Sequence, residues 1–177
     1  LGHGLEFLAG TGEWILTGSA DADLAGDINT ARSTLAGHLQ VGELGSLIDY
    51  CKLARAIATC TGQAETYAML NVSKSAVWLR GLLEELAHPM KEPTVIKTDN
   101  HGVFLQSTKA INHSEAKHYR IAQAYIREKV KDGTIAVTEI RTDYNESDLF
   151  TKALHGPAVR RHKRQIMGPQ SAAGKSV

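Results

Sequence analysis

The sequence predicts an α/β fold in which one mixed sheet, antiparallel over its first three strands, is flanked by helices. Three observations carry this. Alternating segments joined by close turns fill residues 14–58, a long apolar stripe at helical spacing follows, and two further strand-like segments then alternate with helical ones. At 177 residues, 42% of them hydrophobic and 22% charged, the chain suits one domain of ordinary size with a normal core.

Residues 14–23 read as a strand running into small and acidic residues, with Asp21 and Asp23 on one face by the two-residue period. Segments 32–41 and 46–58 are two more strands around a turn at 42–45, which implies an antiparallel meander. Met69, Val72, Ala76, Leu79, Leu83 and Leu86 recur at three- and four-residue spacing, a helix of about six turns. One step back along that stripe lies Glu65, so its carboxylate belongs on the packed face, near the helix N-terminus where the dipole favours an anion. Thr61 or Gly62 is the expected cap, and the helix ends before Pro89.

Segment 93–99 is a short strand, expected to be parallel, with Asp99 at its C-terminal edge, where open α/β sheets place their sites. Asp99-Asn-His-Gly102 opens a turn or short helix. Segment 114–132 is a second long helix closed by Gly133, and 134–141 is a last strand. Asp148 stands at the start of a helix beginning at Ser147, and a basic helical stretch follows Pro157. The expected organisation is an N-terminal remnant of a longer chain over 1–12, since the first residue is Leu, then a domain over 13–168 and a disordered tail over 169–177.

This order brings Asp21, Glu65, Asp99 and Asp148 to one end of one sheet. Converging carboxylates raise one another's pKa and lose hydration, a cost that bound cations relieve. Two hard divalent ions with oxygen ligands would do so, one activating a water and the other stabilising the leaving oxygen of a phosphodiester. Asp21, on the central strand, is the expected shared ligand. Singly, each acid has a structural reading: Glu65 as a satisfied core residue, Asp148 as a helix cap.

Other patterns restrict the function classes. Net charge is +1, but Arg160-Arg-His-Lys-Arg164 is strongly basic beside an acidic centre, which suits a polyanionic partner or, alternatively, a solvated helix face. Cys51 and Cys60 make no disulfide framework and read as half-buried thiols of a reducing, intracellular compartment. No apolar run reaches membrane-span length, so no membrane partner is expected. Residues 169–176 lack the first glycine of a phosphate loop. The Asn71, Asn112 and Asn145 sequons are chance matches. His113, His118, His155 and His162 lack zinc spacing and are expected to face solvent. Trp14 and Trp78 are expected in the core.

Ser19-Ala-Asp-Ala-Asp-Leu-Ala-Gly-Asp27 resembles the YSDADWAGD motif of the ribonuclease H domain in copia-type retrotransposon polyproteins. Arg32-Ser-Thr-Leu-Ala-Gly37 is similar to that family's RSTSGY strand, and Thr59-Cys-Thr-Gly-Gln-Ala-Glu-Thr-Tyr-Ala68 to its TSSGEAELYA helix start. Val77-Trp-Leu-Arg80, Leu82-Leu-Glu-Glu-Leu86, Thr98-Asp-Asn100, Lys117-His118, Tyr125-Ile-Arg-Glu128 and Asp148-Leu-Phe-Thr-Lys152 continue the match in order across residues 5–168.

The resemblance implies a ribonuclease H-like fold with a five-stranded mixed sheet. It also implies cleavage of the RNA strand of RNA–DNA hybrids during reverse transcription, with two Mg²⁺ ions, or Mn²⁺ as substitute. The family's catalytic, metal-holding acids fall on Asp21, Glu65, Asp99 and Asp148, with Gln63 replacing a dispensable acid. Implied nucleic-acid contacts are Arg32, Lys52, Arg55, Asn100, Lys117 and His118, joined on charge by Arg160, Arg161, Lys163 and Arg164. The implied partners are the hybrid and the reverse transcriptase domain of the same polyprotein, in a cytoplasmic particle or the nucleus. Leu24 and Ala20 depart from the motif's Trp and Ser, and residues 48–55 are less basic than the family's ISWKSKKQ. The loop 142–147 lacks a His that many cellular relatives carry. These departures motivate a second expectation, a non-catalytic module that binds nucleic acid or protein.

Overall fold

Alternating and small residues build the first layer. A computed structural model of the chain describes residues 14–42, 45–109 and 117–167, the side chains of Lys117 and His118 excepted. The proposed N-terminal remnant, the tail, Asn112 and His113 lie outside the described residues. Strands β1 (Leu16–Asp23), β2 (Thr34–Val41) and β3 (Ser46–Leu53) form the antiparallel meander. Its register runs from Leu16 opposite Val41 to Asp23 opposite Thr34. Strands β4 (Thr94–Thr98) and β5 (Ile135–Glu139) then add in parallel, β4 beside β1 and β5 beside β4. The order β3-β2-β1-β4-β5 makes β1 the central strand of a five-stranded sheet.

Helix α1 (Thr61–Glu85) packs across β1 and β2 through Ala64, Ala68, Met69, Val72 and Ala76, each fully buried. Close approach is possible because Gly37 of β2 has no side chain. A Cβ there would collide with Val72 and the Tyr50 ring. Helices α2 (His101–Thr108) and α3 (Lys117–Lys131) pack against each other, and α3 also lies against α1. Gly133 closes α3 in the left-handed conformation, φ +76°. A 3-10 turn (Thr142–Tyr144) leads into α4 (Asp148–Thr151), which lies over β1, β2 and β3, and then into α5 (Gly156–Met167).

Several local expectations are corrected. Strand β3 stops at Leu53 and not at residue 58, because Ala54 turns inward to bond Ser33 through its backbone. The α1 cap residue is Cys60, and its side chain makes no capping bond. Gln63 reaches back instead, accepting from Thr59 N at 2.7 Å and donating to the Tyr67 hydroxyl at 3.0 Å. The apolar stripe holds through Leu83, but Leu86 lies past the helix end and is exposed. Trp14 and Trp78 are exposed: Trp14 precedes β1 and stacks on His88 at 4.4 Å, and Trp78 lies off the buried stripe of α1. Both cysteines are exposed, whereas His162 is buried on the inner face of α5.

Gly37→Ala is therefore expected to destabilise the fold by about 1–3 kcal/mol through overpacking against Val72 and Tyr50. Urea denaturation followed by far-UV circular dichroism checks this; an unchanged midpoint would mean that α1 yields freely at this point.

Candidate active site

The C-terminal end of β1 carries Asp21, which is fully buried although its side chain is polar. Asp99 follows directly on β4, beside β1 in the sheet, and Asp148 is the first residue of α4. Carboxylate oxygens of these three acids all lie within 4.8 Å of one another. Glu65, in the first turns of α1, stands outside that tight group but feels it: burial first, then the charges of Asp21 and Asp99, push its pKa from 4.5 up to about 9. Its Oε2 is buried without a hydrogen-bond partner. Asp148 is pushed to about 6, mainly by burial, against the opposing effect of Lys152.

Lys152 meets this negative charge. Its Nζ lies 2.8 Å from Asp148 Oδ1 and 3.2 Å from Asp21 Oδ1, and these two charges and hydrogen bonds hold its pKa above the ordinary lysine range despite partial burial. The Thr151 hydroxyl donates to Asp21 Oδ2. Asn145, fully buried, donates to Asp99 Oδ1 at 3.1 Å and to the Ala20 carbonyl at 3.2 Å, while its own carbonyl accepts from Ser147 N. Ser147 and Ser19 share a 2.7 Å hydroxyl contact, and Lys97 pairs with buried Glu146 at 2.8 Å. Cys51 on β3 donates to the Phe150 carbonyl at 3.0 Å. The segment from Asn145 to Lys152 is thus pinned across β1, β3 and β4.

Ser19, Thr151 and Lys152 fall within the matched motifs, but sequence patterns assign no role at the acid cluster to them or to Asn145 and Ser147. Their signal is weak: a polar run, Asn145-Glu-Ser-Asp148, ahead of a candidate acid, all of it buried. Of the expected nucleic-acid contacts, Arg32, Lys52, Arg55, Arg160, Arg161 and Arg164 are exposed and Lys163 is half-buried. Asn100 caps α2, accepting from Val103 N at 3.1 Å. The side chains of Lys117 and His118 lie outside the described residues.

An all-carboxylate donor set, an unpartnered buried Glu65 oxygen and an already recruited cation together fit hard divalent ions. In the metal-free protein Glu65 stays protonated when folded and ionises when unfolded, so its stabilising contribution is complete below pH 4.5 and is lost as pH rises towards 9. Metal-free Glu65→Gln should therefore match wild type near pH 4 and exceed it in Tm at about pH 8. Equal melting curves across that range, measured in a chelator, would place Glu65 in a solvated setting.

No family model matches the chain. It is 34% identical over 140 residues, 79% of its length, to the retrovirus-related Pol polyprotein from transposon TNT 1-94 of Nicotiana tabacum. It is 28% identical over 172 residues, 92% of its length, to the corresponding polyprotein from transposon RE2 of Arabidopsis thaliana. The chain spans only 10% and 12% of those two relatives. Among solved structures it resembles ribonuclease H1 of the archaeon Halobacterium salinarum, with a TM-score of 0.57 at 16% identity over 76% of this chain and 92% of that one. It also resembles a foamy viral protease–reverse transcriptase solved with an RNA/DNA hybrid, with a TM-score of 0.58 at 15% identity over 78% of this chain and 20% of that one. The chain is thus similar in sequence to a segment of retrovirus-related transposon Pol polyproteins and in fold to ribonuclease H domains.

Proposed function

We propose that this ribonuclease H-fold domain hydrolyses the RNA strand of RNA–DNA hybrids, working beside the reverse transcriptase of its parent polyprotein. The observation that carries the reading is the meeting of Asp21, Asp99 and Asp148 within 4.8 Å, drawn from three separate elements, with the unpartnered Glu65 oxygen beside them. Asp21, Glu65, Asp99 and Asp148 would hold two Mg²⁺ ions, or Mn²⁺, which would supply an activated water and charge stabilisation at the leaving oxygen. Asp21, on the central strand, would suit the shared ligand. Asn145 holds Asp99 in orientation, and Thr151 does the same for Asp21. The attacking water bonds to phosphorus as the bridging P–O bond breaks, leaving a phosphate on one fragment and a hydroxyl on the other.

Two basic surfaces support a nucleic-acid substrate. Helix α5, adjoining α4, exposes Arg160, Arg161 and Arg164, with Arg161 5.7 Å above the Tyr144 ring. Between the end of β3 and α1 lies a groove of about 510 Å³ lined by Lys52, Arg55 and Lys74 over Leu35, Leu53 and Leu70, with no carboxylate in its wall.

The decisive test is cleavage of a labelled RNA–DNA hybrid with Mg²⁺ or Mn²⁺. Wild type should cut the RNA strand, and Asp99→Asn should lose at least about 100-fold in rate, the scale of removing a group that stabilises transition-state charge. Equal rates would remove the enzymatic reading, and tight binding without cleavage would favour the non-catalytic module. Neutralising Arg160, Arg161 and Arg164 together should weaken hybrid binding and shrink the slope of log affinity against log salt by about 0.9 for each phosphate that is no longer neutralised. An unchanged slope would return α5 to a solvated face.

A further inference from the structure

We infer that Lys152 is a tethered competitor of the divalent cations: its ammonium holds the carboxylates together in the metal-free protein and must leave them before a cation binds. The inference rests on the metal-dependent reading above. Asp21 has both oxygens engaged, Oδ1 by Lys152 and Oδ2 by Thr151, and Asp148 Oδ1 is engaged by Lys152 as well. A divalent cation taking Asp21 Oδ1 and Asp148 Oδ1 would meet the positively charged Lys152 ammonium at both oxygens. Among the described residues no other lysine, arginine or histidine forms an ion pair with these acids.

The setting separates this pairing from an ordinary surface ion pair. Both carboxylates are buried, at 0% and 5% side-chain exposure, whereas Lys152 keeps 37%. The charge being neutralised is thus unsolvated, but the neutralising group sits on the solvent side with a path outward. Lys152 is the residue at which the chain leaves α4, with extended backbone angles of −121° and 145°, so its side chain turns back over the helix to reach Asp148. A flexible four-carbon stem carrying a point charge is displaced at little cost, unlike a planar arginine locked by two parallel bonds.

Removing the ammonium leaves the acids less neutralised, which favours any other cation. Mn²⁺ titration of Lys152→Met, in the absence of substrate, should show binding tighter than wild type by roughly tenfold, the scale of one charge removed from a partly buried pair. Lys152→Arg should not tighten binding. In wild type, trace reductive methylation read by mass spectrometry should label Lys152 several-fold faster with saturating Mn²⁺ than in a chelator. This measurement needs no variant and stands even if Lys152→Met folds poorly without metal. Unchanged or weaker Mn²⁺ binding by folded Lys152→Met, or equal labelling with and without Mn²⁺, overturns the inference while leaving the metal site standing. A wild type that binds no Mn²⁺ overturns both.

Discussion

Mutual repulsion among buried carboxylates is the constraint around which this molecule is arranged. Asp21, Asp99 and Asp148 meet within 4.8 Å, and Asp21 has no contact with solvent. In a medium of low polarisability such a group is costly unless every charge is hydrogen-bonded or neutralised. The polar surroundings answer that cost one partner at a time: Lys152 on Asp21 and Asp148, Thr151 on Asp21, Asn145 on Asp99. Glu65 receives no partner for Oε2, and protonation is its remaining route in the metal-free state.

Rigid neighbours make the crowding possible. The acids come from a central strand, its parallel neighbour, the sheet-covering helix and a one-turn helix, each anchored away from the site. Gly37 lets α1 settle close to the sheet. The Ser19–Ser147 and Cys51–Phe150 hydrogen bonds fasten the Asp148 segment to β1 and β3. Charge that would scatter on mobile loops is kept in place, and a site preorganised for cations need not reorganise when they arrive.

The residues differ in how openly they announced these roles. Glu65 was legible because an apolar stripe of helical period ends on it, and Asp99 because a short strand runs into it. The meander was legible because strand-like segments follow one another with a turn-like stretch at 42–45 between the second and third. The stripe failed at Leu86, where the helix had already ended, and the tryptophans misled because size and hydrophobicity say nothing about which face they occupy. Asn145 was unreadable in principle: its partners, Ala20 and Asp99, lie 125 and 46 residues away.

Local periodicity was enough for most of the element order and for bringing the acids to one end of the sheet, because spacing along the chain dictates which side chains share a face. The neutralisation of those acids was decided only by the tertiary structure. Lys152 is four residues from Asp148, a spacing the sequence displays, but 131 from Asp21, a distance closed only when α4 folds over β1. Electrostatic pairing depends on separation in space, and the chain alone holds no record of it.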